Sequence, residues 1–502
     1  MAAKSDEAVT SDLRQLTVRA LARNASLPAI EYDRRWFPWG ELRRVAEQVN
    51  RLLDASGVAG RTPIAFVPRN RPSAIAALLG LVAAGRSIRM LYAFQSATAL
   101  ARDVARIRPA VLIGAVEDFS DELRVALRAQ GSAAIALQEM AATAVAGFER
   151  TARPDDPQAP LQSQIEILTS GTTGPPKQFA VSYDLVAQHL VGRTVMQSGA
   201  DADLSQTPPT LFFMPLGNIS GIYSTLPTLL KGQRAVLIER FNVPAWHDHV
   251  LRFRPAVSGL PPAGVQMVLD ADIPREDLSS IRVIGTGAAP LDPTVHRAFE
   301  ERYGIPILLS YGATEFGGPV TAMTADLHAQ WGAQKLGSVG RPLPGAQLRV
   351  KDPDTDEVLP LGREGILEVI SPRIGPHWIR TADIALIDED GFMFHRGRAD
   401  GAIMRGGFKL LPETIERALL LHDAIAAAAV VGIDDRRLGQ VPATVIECRP
   451  GVVPPAIAEL EAHLRDQVLA THIPVHWRFV DALPRTPSFK IDRPALRALF
   501  ET

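Results

Sequence analysis

The sequence is nearly without cysteine: Cys448 stands alone among 502 residues. One thiol cannot close an internal disulfide, and a reducing compartment, the cytoplasm, is the expected location. A dominant charge is lacking too. The 53 basic and 55 acidic side chains nearly cancel, and nothing resembles the basic stripe that nucleic-acid binding requires. No nucleic-acid partner is expected, and an anionic substrate must be held by local charge. Long apolar runs are also missing. Ile75 to Ala84 is bounded by Arg71 and Arg86 and is too short to span a bilayer, so it reads as a buried helix. Met1 to Asp12 carries acids and no apolar stretch, which argues against a cleaved signal. Internal repeats and low-complexity tracts are absent.

What remains is ample core material, with 46% apolar and 22% charged residues. At roughly 150 residues per domain the length corresponds to about three units. Strand and helix signals alternate from the start, as in an α/β domain. Leu42, Val45, Ala46, Val49 and Leu53 repeat at helical spacing, Ile64 to Val67 reads as a strand, Ser73 to Ala84 as a helix and Ala110 to Gly114 as a strand. The alternation resumes with strands at 211–214 and 235–238 and a helix at 246–253. Ser280 to Ile284 reads as a strand entering Gly285-Thr286-Gly287-Ala288-Ala289-Pro290-Leu291, followed by a helix to Tyr303 and a strand at 306–309. Beyond residue 335, short runs between Gly and Pro turns predict a small antiparallel or barrel-like unit, with a hairpin turn at Asp388-Glu389-Asp390-Gly391. A charged segment, Arg396 to Gly401, looks like a hinge before a compact α+β domain of roughly 100 residues.

The most telling segment is Thr169-Ser170-Gly171-Thr172-Thr173-Gly174-Pro175-Pro176-Lys177, after the apolar residues Ile165, Ile167 and Leu168. Glycines let the backbone approach a ligand, hydroxyls and amides donate hydrogen bonds, and lysine adds charge, so the loop suits phosphate. It is not a Walker loop: Pro176 stands where the second glycine belongs and Gln178 where the hydroxyl belongs. Without further context, such a cluster also describes a plain surface turn.

That loop is joined in order by Tyr311-Gly312-Ala313-Thr314-Glu315, Thr381-Ala382-Asp383, Gly397-Arg398-Ala399-Asp400, Gly406-Gly407-Phe408-Lys409 and Pro484 to Arg493. The set resembles the adenylate-forming superfamily of acyl-CoA synthetases, luciferases and adenylation domains, over nearly the whole chain, and most closely a free-standing acyl- or aryl-CoA ligase. The resemblance implies an α/β protein. Its large N-terminal region, residues 1–396, would hold two α/β sheet subdomains and a small distorted β-barrel. A mobile α+β domain, 397–502, would follow, with Asp400 as hinge.

The chemistry implied is activation of a carboxylic acid by ATP and Mg²⁺ to acyl-AMP, then transfer to coenzyme A. Thr169, Ser170, Gly171, Thr172, Thr173, Gly174 and Lys177 would cradle the β- and γ-phosphates. Tyr311 would pack on adenine, with Gly287, Ala288, Ala289 and Gly312 also bordering the nucleotide. Thr314 would contact phosphate or carboxylate, and Glu315 would hold Mg²⁺. Asp383 and Arg398 would take the ribose, and Lys490 would stand between the substrate carboxylate and the α-phosphate, neutralising both. Gly406 and Gly407 would border the pantetheine channel. Each has a bland alternative: Tyr311 as a core edge, Glu315 as a helix-start acid, Asp383 as a turn acid, Lys490 as a solvated charge. Cys448 reads as core.

Two departures from the family matter. Gly217 and Asn218 replace the usual Phe-His after Pro215-Leu216, and Phe489 precedes the catalytic lysine where glycine is usual. The first opens volume; the second restricts the mobile loop. Ala382 also replaces a glycine. Asn218, Gly221, Gly285, Ser310 and Ala313 would line the acid pocket with no fixed cation, which favours an uncharged aromatic, alicyclic, polycyclic or medium-chain acid. Rival readings are loading of an acyl-carrier protein, thioester formation from acyl-AMP made by a partner, and a nucleotide-binding scaffold without catalysis. A homodimer stays open.

Overall fold

The computed structural model describes residues 12–501 apart from 94, 154–158, 170–176, 193–203, 205–206, 406–407, 436–437, 466 and 487–489. Packing divides the chain into two compact units, Met1–Pro255 and Ala256–Thr502.

In the first unit a seven-stranded sheet runs in the order Ala141–Ala144, Ala133–Gln138, Val111–Ala115, Ile64–Phe66, Ile88–Met90, Gln164–Thr169, Lys177–Ser182. Pairing is parallel through the centre and antiparallel at the two edges. Successive side chains enter opposite cores: Ile64 and Phe66 face one, Ala65 and Val67 the other. A parallel sheet buried on both faces needs this continuous apolar run. Helix Pro72–Ala83 starts with proline in its first turn, where the missing N–H has no intrahelical partner to lose. It is apolar all round and buried through Val82, as the sequence predicts. Helix Trp39–Ser56 instead buries only a stripe through Leu42, Val45, Val49 and Leu53. Each such side chain contributes about 1.5–3 kcal/mol relative to exposure. A four-stranded sheet joins Thr210–Phe212, Ala235–Leu237, Pro28–Tyr32 and Arg35–Pro38.

The second unit contains three sheets among its described residues. In the first, Val257–Gly259, Val283–Gly287 and Ile307–Ala313 are parallel, followed by antiparallel Gly318–Ala322 and Arg341–Pro342. An antiparallel meander joins Gln347–Lys351, Glu364–Ile370, Ile379–Ile387 and Met393–Arg398. The last sheet centres on Ile425–Asp435 and Gly439–Cys448. Helices Pro412–Leu420 and Ile457–Arg465 cover one of its faces and helix Arg493–Ala498 the other. Cys448 is partly buried against this core, and burial pushes its thiol up.

Three boundaries differ from the sequence reading in ways that matter. The strand expected at 280–284 runs over Val283–Gly287, so the glycines are the strand end itself. The strand expected at 306–309 continues to Ala313, which puts Tyr311 on a strand rather than in the loop after it. Asp383, expected before a strand, lies inside Ile379–Ile387. In each case, pairing with a neighbouring strand carries the element through residues of weak intrinsic β preference.

Candidate active site

Asp383 is the hub of the second unit. It is 8% exposed, and its strand pairs with Met393–Arg398 so that Arg398 lies directly opposite. Arg398 Nη1 donates to Asp383 Oδ1 at 3.2 Å, and His395 Nε2 meets the same oxygen at 3.3 Å. The Tyr311 hydroxyl donates to Oδ2. Burial pushes the Asp383 carboxyl up, but His395, the Tyr311 hydroxyl and Arg398 together outweigh it and hold the group below its ordinary value. Burial, and then the Asp383 charge, drive the Tyr311 phenol well above its ordinary range. The tyrosine stays a donor and the aspartate an ionised acceptor.

The backbone here is fixed by Thr381. Its hydroxyl donates to Leu367 O at 2.8 Å and accepts from Asp383 N at 2.9 Å. Ala382 keeps a negative φ, so alanine replaces the family's glycine without strain. Gly397 is different: its φ is +135°, and a Cβ there would lie 2.6 Å from Glu413 Oε2. Only glycine fits both demands.

The parallel strands Val283–Gly287 and Ile307–Ala313 end together, Gly287 in register with Ser310. A Cβ on Gly287 would approach Ser310 Oγ to 2.7 Å, whereas one on Gly285 would meet no atom within 4 Å. Gly285 therefore faces open space and Gly287 permits strand contact. Ala288 holds φ +68°, a left-handed conformation that costs a non-glycine residue about 1–3 kcal/mol and clusters at functional sites. Ala289, Ser310, Gly312 and Ala313 are partly buried around this edge. Thr314 opens the short turn Thr314–Phe316, in which Glu315 is exposed. The Tyr311 ring lies 6.0 Å from the rings of both Phe316 and His395.

Lys490 belongs to the same electrostatic neighbourhood. Its loop is closed by Thr486 N donating to Lys490 O at 2.7 Å and Lys490 N donating to Thr486 Oγ1 at 3.2 Å. The residue keeps exposed surface, yet enough protein gathers round its ammonium to desolvate it. That desolvation, followed by the Arg398 charge, lowers its pKa, while Asp383 and Glu315 pull it back up. Lys490 thus feels the charges of Arg398, Asp383 and Glu315, and Tyr311 joins the group through its bond to Asp383.

The remaining expected residues lie on other elements. In the first unit Thr169 pairs in register with Lys177 at the mouth of the hairpin between Gln164–Thr169 and Lys177–Ser182. Ser170, Gly171, Thr172, Thr173 and Gly174 lie outside the described residues, as do Gly406, Gly407 and Phe489. Asn218 precedes helix Ile219–Leu230, and a Cβ on Gly221 would strike Pro215 O at 2.2 Å. Tight packing thus requires glycine at 221 on its own account. Asp400 lies in the short turn Ala399–Gly401.

Two residues escaped the sequence reading. His395 completes the Asp383 cluster; its signal was a histidine within Phe394-His395-Arg396-Gly397-Arg398, on the strand that carries Arg398. In the first unit, the buried Asn70 donates to Met214 O at 3.1 Å and accepts from Leu216 N at 3.1 Å. It clamps the segment leading to Asn218, and no local pattern announces a contact across 146 residues.

Among the described residues no helix is long and apolar enough to cross a membrane. The sequence profile of AMP-binding enzymes matches residues 17–376, and that of the AMP-binding enzyme C-terminal domain matches 414–490. Indoleacetate–CoA ligase of Aromatoleum aromaticum is 30% identical, with 94% of each chain covered. ATP-bound MatB from Rhodopseudomonas palustris shares the fold with TM-score 0.78 at 22% identity, covering 97% of this chain and 99% of that one. o-Succinylbenzoate CoA synthetase of Bacillus subtilis, in complex with its acyl-adenylate intermediate, gives 0.74 at 21% identity over 96% and 97%. The mixed α/β architecture with its separate C-terminal domain is the one these enzymes have. The chain belongs to the AMP-binding enzyme family, and is an ATP-dependent, AMP-forming acid–thiol ligase of the adenylate-forming superfamily.

Proposed function

We propose that the enzyme converts an uncharged aromatic, alicyclic, polycyclic or medium-chain carboxylic acid into its coenzyme A thioester through acyl-AMP. The observation that carries this reading is the shared neighbourhood of Lys490, Asp383, Arg398 and Glu315. It offers an acceptor suited to ribose, cations suited to phosphate and an exposed acid within one electrostatic neighbourhood. The name of the indoleacetate ligase, matched over 94% of each chain, supports an aromatic acid within that range.

In the first step a carboxylate oxygen attacks the α-phosphorus of ATP, and the bond to pyrophosphate breaks. Lys490 places its ammonium against the entering carboxylate and the α-phosphate, where negative charge crowds in the transition state. Asp383 and Arg398 fix the ribose, Tyr311 packs on the adenine, and the 169–177 loop receives the β- and γ-phosphates. Thr314 and the Gly287–Ala289 edge border the reacting groups. A single exposed carboxylate beside substrate phosphates suits Mg²⁺, which Glu315 would hold to neutralise phosphate charge. In the second step the coenzyme A sulfur attacks the acyl carbon and AMP departs. Residues 397–502 form the moving domain in this reading, turning about Asp400 to withdraw Lys490 and bring Gly406 and Gly407 beside the thiol arm. The cytoplasm supplies ATP and coenzyme A.

The test is an acid panel scored for both pyrophosphate exchange and thioester yield, in wild type and Lys490→Ala. The variant is expected to lose exchange by about 100-fold or more while still passing supplied acyl-AMP to coenzyme A. Equal exchange rates in the two proteins would overturn the assignment. Adding holo-carrier protein in competition with coenzyme A identifies the acceptor.

A further inference from the structure

Away from the Asp383 cluster, helix Pro293–Tyr303 carries His296 and Glu300 one turn apart, and helix Ala325–Trp331 brings His328 to them. One potential ligand atom from each of the three lies within 4.8 Å of the others. His296 Nε2 is 3.1 Å and His328 Nε2 2.8 Å from Glu300 Oε1. Donors on a tetrahedral ion with bonds of about 2.0–2.1 Å sit about 3.3 Å apart, so little movement separates this arrangement from a coordination shell. His296 is buried, whereas Glu300 and His328 are partly exposed, which leaves a further position open to water.

A Cβ on Gly332 would lie 2.6 Å from the His328 carbonyl oxygen and 2.9 Å from His328 Nε2, so close packing against His328 keeps that position small.

We propose that His296, Glu300 and His328 form a binding site for a borderline divalent cation of the zinc(II) class. Two imidazoles and one carboxylate are a donor set for such ions, unlike the all-oxygen set that magnesium prefers. The ion links two helices. Glu300 Oε1 also accepts from Ile307 N at 2.7 Å, so the site braces the start of the strand that carries Tyr311. This site is independent of the acid, of the thiol acceptor and of Glu315.

The experiment uses full-length, chelator-stripped protein titrated with Zn²⁺ by calorimetry and with Co²⁺ by visible absorption. One equivalent per chain is expected, with the intense cobalt bands of low coordination number and a zinc-dependent rise in melting temperature. Glu300→Gln and His328→Gln should each weaken binding by about tenfold or more and abolish the bands. Glutamine at 328 can still donate to Glu300, so its metal-free melting temperature reports folding separately. A wild type without cobalt bands, or variants that bind like wild type, would overturn the site and leave a hydrogen-bond network. The wild-type spectrum decides the matter even if both variants misfold.

Discussion

The Tyr311 hydroxyl donates to Asp383 Oδ2 while Arg398 and His395 occupy Oδ1. A carboxylate offers about four acceptor positions, and among the described residues three donors use them. A ribose bringing two hydroxyl donors to Asp383 therefore competes with Tyr311. Tyr311→Phe keeps the ring and frees one acceptor position, so ATP affinity should hold within about threefold. Asp383→Asn removes the charge; two charge-assisted bonds of about 1.5 kcal/mol each correspond to about 100-fold weaker ATP binding. Equilibrium binding of ATP to both variants measures the contrast. A larger loss in Tyr311→Phe than in Asp383→Asn would refute it.

In the proposed mechanism His395 is a positioning residue, bonded to Asp383 Oδ1 and set against the Tyr311 ring. Removing its bond leaves a buried carboxylate short of a donor, at a cost of about 1–3 kcal/mol. His395→Phe should raise KM for ATP by about 5- to 100-fold with a smaller change in kcat. His395→Gln restores an N–H donor and should recover most of the loss. Steady-state kinetics with ATP varied separates this role from plain packing, which glutamine would not rescue.

Glu416 predicts an unusual pH dependence of stability. Burial raises its carboxyl from the ordinary 4.5 to about 7, Glu413 adding to the rise and Arg493 and the Val430 amide opposing it. The folded chain thus binds a proton between those values that the unfolded chain has released. The stabilising effect of protonation is complete below about pH 4.5 and is lost as pH rises through 7. Glu416→Gln should melt higher than wild type at pH 8, and the gap should close toward pH 5. Thermal melts across that range measure it; a gap that does not depend on pH would contradict the assignment.

The Lys490 ammonium is easier to deprotonate than an ordinary lysine, because of desolvation first and Arg398 second. The alkaline limb of pyrophosphate exchange should therefore fall below the ordinary lysine range near 10.4. Lys490→Arg, which stays charged, should remove that limb whatever its rate. An unchanged alkaline limb in the arginine variant would assign it to another group.

Much of this was legible in the residues. Helix Trp39–Ser56 was readable because its apolar stripe repeats at helical spacing, and helix Pro72–Ala83 because it is a bounded apolar run. Tyr311, Asp383, Arg398 and Lys490 stood out as motif members in order. The strand ends were not legible: Gly285, Gly287 and Gly312 have poor β preference, and only pairing with neighbouring strands makes them extended. His395 and Asn70 were missed for the same reason, since their partners are chosen by cross-strand register and distant packing rather than by nearby sequence.

By itself, the sequence determined the alternation of strands and helices, the lack of an internal disulfide, the order of the chemical motifs and hence the family. Periodicity and local residue chemistry carry that information. Tertiary structure decided that Asp383 is ionised under three donors, that Ala382 needs no glycine while Gly397 does, and that His296, Glu300 and His328 meet. Those outcomes depend on distances between segments far apart in the chain, which are set only when sheets and helices pack.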